Sequence, residues 1–167
     1  MLPLLCLLFT THFSPPDNGQ TYKDSLNRYS VSYPANWDKK YYENAVAFFS
    51  PLDGPTDQFD ENVNVIMQDL SQNPMTLAAY TELSKNQYKK MFGDSSVISI
   101  DDTLFDGQAA KKGVCLMTYP KQSFKVLQYW FIKNNMAYLL TYTAEPAQFD
   151  RFLPTAMKVI DSFTLLK

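Results

Sequence analysis

"FKVLQYWFIKNNMAYLLTYTA", residues 124–144, decides the fold. Asn134-Asn135 divides it into two runs rich in aromatic and aliphatic residues, the composition of paired strands about a tight turn. Side chains alternate across a strand, so Leu127, Tyr129 and Phe131 point one way and Val126, Trp130 and Ile132 the other. Both sets are apolar. Strands apolar on both faces need a layer above and a layer below, which places them at the centre of a covered sheet.

Working outward, the neighbouring segments extend that sheet. "SVISIDD" leads into the turn dipeptide Asp106-Gly107, and "KKGVCLMTYP" returns. Upstream, "AVAFFSP" at residues 45–51 and "NVNVIMQDL" at residues 62–70 read as strands. The second sets Val63, Val65 and Met67 against Asn62, Asn64 and Gln68. "TYKDSLNRYSVSYP" reads as a hairpin: residues 21–24, a turn through residues 25–28, and a return over residues 29–33. Pro34 cannot donate to a ladder and ends the return. Connections this short favour antiparallel pairing over parallel crossovers.

Two segments carry helical spacing instead. In "TLAAYTELSKNQYKKMFG", Leu77, Tyr80, Ser84, Gln87, Tyr88 and Met91 form a stripe that Leu83 widens. Thr76 can cap its start, Lys89 and Lys90 suit its C-terminal dipole, and Gly93 suits its stop. In "AQFDRFLPTAMKVIDSFTLL" the stripe is Phe149, Phe152, Leu153, Ala156, Ile160 and Phe163. Pro154 interrupts it, which predicts a short turn first and a main helix starting near Pro154. The expected architecture is α+β: an α/β/α sandwich with a central antiparallel sheet of about six or seven strands flanked by helices. One domain spans residues 21–167.

The chain has 167 residues, 46% hydrophobic and 19% charged, a globular balance. Its net charge of -2 and the absence of a long basic run exclude nucleic-acid binding as the main task. "MLPLLCLLF" is too short to span a bilayer and reads as the apolar region of a secretory signal. "SPPDNGQ", residues 14–20, reads as a linker, so residues 1–20 form a leader with no transmembrane span left after its removal. A lipid anchor on Cys6 is the lesser reading, because Leu5 stands where lipidated bacterial proteins favour a small residue. Cys115 lies in an apolar strand as a small buried hydrophobe. The single histidine, His12, falls in the leader, which removes hydrolases with a histidine base. The five glycines are scattered, so no phosphate-cradling loop is present. No residue is read as catalytic, and the chain reads as a non-enzyme without an organic cofactor.

The order of these signals resembles the PsbP family, whose founding members are extrinsic proteins of the photosystem II oxygen-evolving complex. The residues that carry the resemblance are Tyr29, Tyr33-Pro34 and Trp37, then Ser50-Pro51 with Glu61-Asn62-Val63, then Ser162-Phe163. It covers nearly the whole domain. It implies the α/β/α sandwich and a non-enzymatic role on a larger assembly. The plant members carry a basic N-terminal arm, whereas residues 1–20 here hold no Lys or Arg. Together with the leader, this reads as an exported, periplasmic or otherwise extracytoplasmic PsbP-like protein. It is expected to be a monomer that docks on a larger protein complex at a membrane surface.

Three candidate sites follow. Asp53, Asp57, Asp60 and Glu61 form an acidic loop whose oxygens suit calcium, with a solvated loop as the plainer reading. Asp101, Asp102 and Asp106 make a second acidic set, with the same plainer reading. Tyr41 and Tyr42, beside Lys39-Lys40, are candidates for a recognition surface, with one of the two tyrosines expected to be exposed. Trp37 joins them by proximity, although its place after Pro34 predicts that it covers the end of the core. An alternative function is a small apolar ligand held between the sheet and the helix that starts near Thr76.

Overall fold

The computed structural model describes residues 19–166. The apolar leader, Cys6, His12 and the linker up to residue 18 lie outside the described residues. The chain runs β1 (Gly19–Asp24), β2 (Tyr29–Pro34), β3 (Asp38–Tyr42), β4 (Ala45–Phe49), β5 (Asn62–Asp69), α1 (Leu77–Phe92), β6 (Val97–Phe105), β7 (Gln108–Thr118), β8 (Ser123–Lys133), β9 (Met136–Ala144), α2 (Phe149–Asp161) and β10 (Thr164–Leu165). The last two residues of the expected linker, Gly19 and Gln20, are already sheet, paired with Pro34 and Tyr33.

Seven strands form the central sheet in the order β3-β4-β5-β9-β8-β7-β6, every pair antiparallel. The two-faced pair β8 and β9 lies inside it, flanked by β7 and β5, as its composition requires. Asn134 and Asn135 turn between them with φ of 52° and 58°, and Asp106-Gly107 does the same between β6 and β7 with 46° and 71°. Paired positive φ values match the right-handed twist of the flanking strands, and Asn, Asp and Gly tolerate them best.

The face carrying Leu127, Tyr129 and Phe131 is covered by α2 and by a second, three-stranded sheet in the order β1-β2-β10. Tyr29, Val31 and Tyr33 of β2 and Val159 and Ile160 of α2 join them in the larger of two buried clusters. The opposite face, with Trp130 and Ala137, packs beneath α1 against Tyr80 and Leu70. There the Trp130 indole N–H donates to Thr81 Oγ1 at 3.0 Å, and that hydroxyl donates onward to the Leu77 carbonyl at 2.7 Å. A Cβ at Gly113 would stand 2.9 Å from the Trp130 ring, so the absence of a side chain lets the indole lie across the sheet. Cys115 is buried as expected, and burial pushes its thiol up to about 11.

Thr76 caps α1 through a 3.2 Å bond from the Ala79 N–H, and Gly93 ends it. Its buried face is turned relative to the expected stripe: Tyr80 and Thr81 are buried, whereas Leu83, Gln87 and Met91 face solvent, Met91 at 70% exposure. Trp130 sets that rotation by drawing Thr81 inward as its acceptor. Pro154 does not start α2, which runs continuously from Phe149 to Asp161. One forfeited backbone bond in the second turn is outweighed by burying Phe149, Ala156, Val159 and Ile160.

Ser162, just past α2, ties the small sheet to the helix. Its hydroxyl accepts from the Ser32 N–H at 2.7 Å and faces the carbonyls of Ser32 (3.1 Å) and Val159 (2.7 Å) as donor. β10 then pairs with β2, Thr164 opposite Ser30 and Leu165 opposite Tyr29.

Candidate functional site

The sandwich has two dissimilar ends. One, the loop end, gathers Trp37, the loop at residues 50–61, the β7–β8 turn and the start of α2. The other, the turn end, gathers the tight turns at residues 25–28, 106–107 and 134–135 together with the C-terminal residues. Edge strand β3 runs between them.

β3 pairs with β4 alone in its sheet. Tyr41 is 63% exposed and Tyr42 57%, so both tyrosines of the pair are open, not one. Alternation would bury one of the two in an interior strand, but at the edge Tyr41 meets only the Tyr22 ring at 5.9 Å and each tyrosine stays more than half exposed. Lys39 gathers the aromatic rings on one side: its ammonium lies 5.3 Å from the ring centres of Tyr22 and Tyr41 and 5.8 Å from that of Tyr33. Lys40, on the other side, lies 4.6 Å from the Phe49 ring centre. Trp37 does not belong to this surface. It is 6% exposed, part of the larger core cluster, and its N–H closes a turn onto the Pro34 carbonyl at 3.0 Å.

The four acidic-loop candidates are drawn to four different tasks. Asp53 pairs with Arg151 of α2, and that guanidinium holds its carboxyl below the ordinary range. Asp57 accepts the N–H groups of Asp53 (2.7 Å) and Phe59 (3.1 Å), folding the loop on itself. Asp60 offers its backbone carbonyl to the Asn62 amide at 3.1 Å. Glu61 is fully buried, and neither carboxylate oxygen has a hydrogen-bond partner among the described residues. Burial holds its carboxyl above the ordinary range. No group of three or more His, Cys, Asp or Glu placed to hold a metal occurs among the described residues.

Glu61 has a neighbour the acidic reading missed. The Ser50 N–H donates to the Glu61 carbonyl at 2.8 Å, and the Ser50 hydroxyl is likewise buried without a partner among the described residues. Alternation sends both side chains to the side of Phe48 and Val63, the larger core. Nearby, the Tyr142 hydroxyl donates to the Phe149 carbonyl at 2.8 Å. The available signal was the Ser50-Pro51 and Glu61-Asn62-Val63 pattern itself, since polar residues fixed at adjoining strand ends mark a buried junction as readily as a solvated loop. A string of rings runs across the same end: Phe59 to Phe124 at 4.5 Å, Phe124 to Tyr119 at 6.1 Å, and Tyr119 to Phe92 at 5.4 Å. Tyr119 is exposed, and with Phe124 it borders an open hollow of about 500 Å³.

The second acidic set is dispersed too. Asp102 pairs with Lys111 at 2.7 Å, Asp101 stands opposite Lys112, and Asp106 accepts the Leu165 N–H at 3.1 Å. The gap under α1 that an apolar ligand would need is about 20 Å³, lined in part by Ser84, Tyr88, Ile100, Cys115 and Trp130. That is room for a water molecule, not for a ligand.

No helix among the described residues is long and apolar enough to cross a membrane. The family model described as PsbP matches residues 17–165. No curated protein sequence matches. Among solved structures, cyanobacterial PsbP (CyanoP) from Synechocystis sp. PCC 6803 superposes with a TM-score of 0.64 at 17% identity, covering 88% of this chain and 92% of that one. A Pseudomonas aeruginosa protein of unknown function gives 0.63 at 16% identity over 86% and 94%. LpqN, described as involved in cell envelope biogenesis of Mycobacterium tuberculosis, gives 0.57 at 12% identity over 92% and 90%. At these identities the structural likeness is one of fold.

Proposed function

The chain belongs to the PsbP family, and from that premise we propose that it is a non-catalytic, extracytoplasmic accessory protein that docks on a larger complex at a membrane surface. The observation that carries this reading is the edge of β3, where Tyr41 and Tyr42 stand open beside Lys39 and its ring cluster. Exposed tyrosines backed by a fixed cation are the anchors that protein interfaces favour, because they bury area at low entropic cost. The edge also has unpaired backbone groups on its outer side, which a partner strand can extend. A relative in fold that takes part in cell envelope biogenesis supports the location.

The test is comigration. Tagged full-length chain, expressed in its own host, is followed on native gels of solubilised membranes. It is expected to run with a larger assembly, and Tyr41→Ser with Tyr42→Ser is expected to release it while leaving its melting temperature unchanged. Migration of the wild type as a free monomer, or retention of the double variant in the assembly, sinks the reading.

A further inference from the structure

The turn end opens into a cleft of about 420 Å³ between the β1–β2 turn, the β8–β9 turn and the C-terminal residues. That volume falls within the roughly 300–1,000 Å³ usual for small-molecule sites. Its floor is apolar, with Met67 and Tyr138 facing each other across β5 and β9 and Met136 beside them. Leu26, 90% exposed, extends the apolar surface at the rim. Two cations complete the lining, Arg28 from one turn and Lys133 from the other.

Neither cation is in an ion pair among the described residues. Three acids of this end are committed to backbone instead. Asp24 accepts the Asn27 N–H at 2.8 Å, Asp69 the Ser71 N–H at 2.8 Å, and Asp106 the Leu165 N–H at 3.1 Å. Arg28 also stands at a φ of 56°, a conformation that favours Gly or Asn. A long cationic side chain at a strained turn position, beside an apolar floor, is an arrangement found at ligand clamps.

We propose that this cleft binds a single-chain amphiphile with an anionic head, of the fatty-acid type. The chain lies along Met67, Met136 and Tyr138, where the flexible thioethers adapt to its path. The carboxylate meets Arg28 and Lys133 at the mouth, where charge-assisted bonds fix its orientation. This site is separate from the edge of β3, so it stands or falls independently of the docking reading.

The probe is decanoate below its critical micelle concentration, titrated into full-length chain labelled at the methionine methyl groups and followed by NMR. The Met67 and Met136 methyl signals are expected to shift while that of the solvent-facing Met91 on α1 stays put. Decyl maltoside, with the same chain and a neutral head, is expected to bind about tenfold more weakly or worse. Arg28→Asn with Lys133→Gln is expected to weaken decanoate by about the same factor, and Asn keeps the turn because it accepts a positive φ. Equal affinity for the two detergents, unchanged affinity in the double variant, or shifts at Met91 in place of Met67 and Met136 would each overturn the proposal.

Discussion

At the loop end the larger core is covered by Trp37, and even Glu61 and Ser50 are enclosed, without hydrogen-bond partners among the described residues. The hollow at that end lies outside this core, beside Phe124 and the exposed Tyr119. At the turn end the same core opens into a cleft, and the non-glycine residues held at positive φ, namely Arg28, Asp106, Asn134 and Asn135, all belong to the turns there. The loop at residues 50–61 folds Glu61 and Ser50 inward at one end, whereas the two-residue turns at 106–107 and 134–135 carry few side chains with which to cover the space at the other. Over the larger core, cover and access thus fall at opposite ends of the sandwich.

The contrast can be broken most severely at Trp37. Trp37→Ala is expected to open the loop end and to cost about 3–5 kcal/mol, read from urea denaturation. A cost near that of a surface substitution would show that the lid is held by something other than this ring. A smaller effect, dependent on pH, is expected at Glu61. Its carboxyl is raised above the ordinary range, so the folded state holds the proton more tightly than the unfolded chain does. The associated stability is present below the unfolded carboxylate pKa and is lost as pH rises through the folded value. Glu61→Gln should flatten the part of the melting-temperature profile that falls as pH rises above the ordinary glutamate range, and make the protein more stable on the alkaline side of it. A variant less stable than wild type at neutral pH would mean that the backbone N–H groups of Glu61 and Glu145 outweigh burial and hold the charged form. The smallest effect belongs to the turn end. Arg28→Gly is expected to raise stability by about 0.5–1 kcal/mol through relief of the positive φ. A loss of stability there would show that the arginine side chain braces the cleft.

Much of this architecture could be read from the order of residues. The two-faced strands at residues 124–144, the turns at Asn134-Asn135 and Asp106-Gly107, and the Thr76 cap are local signals, and each stands where its chemistry requires. The misread parts depend on distant neighbours. The rotation of α1 is set by Trp130, which reaches Thr81 from a residue 49 positions away. Pro154 reads locally as a start, yet packing of α2 carries the helix through it. The acidic residues at 53–61 look alike in sequence, and only the arrival of Arg151 and the closing of the larger core divide them into an ion pair, a turn and a buried acid. The exposure of both Tyr41 and Tyr42 follows from the edge position of β3, which pairing order decides and local pattern does not.

The clasp at Ser162 has a consequence for how the molecule is made. Ser162 and Ser32 are 130 positions apart, and β10 completes the small sheet only when Thr164 and Leu165 reach Ser30 and Tyr29. A chain emerging from the ribosome can form the β1–β2 hairpin early, but that hairpin has no third strand until residues 164 and 165 have been synthesised. The domain therefore cannot be completed in step with synthesis, and residues 162–165 act as the latch on residues 29–32.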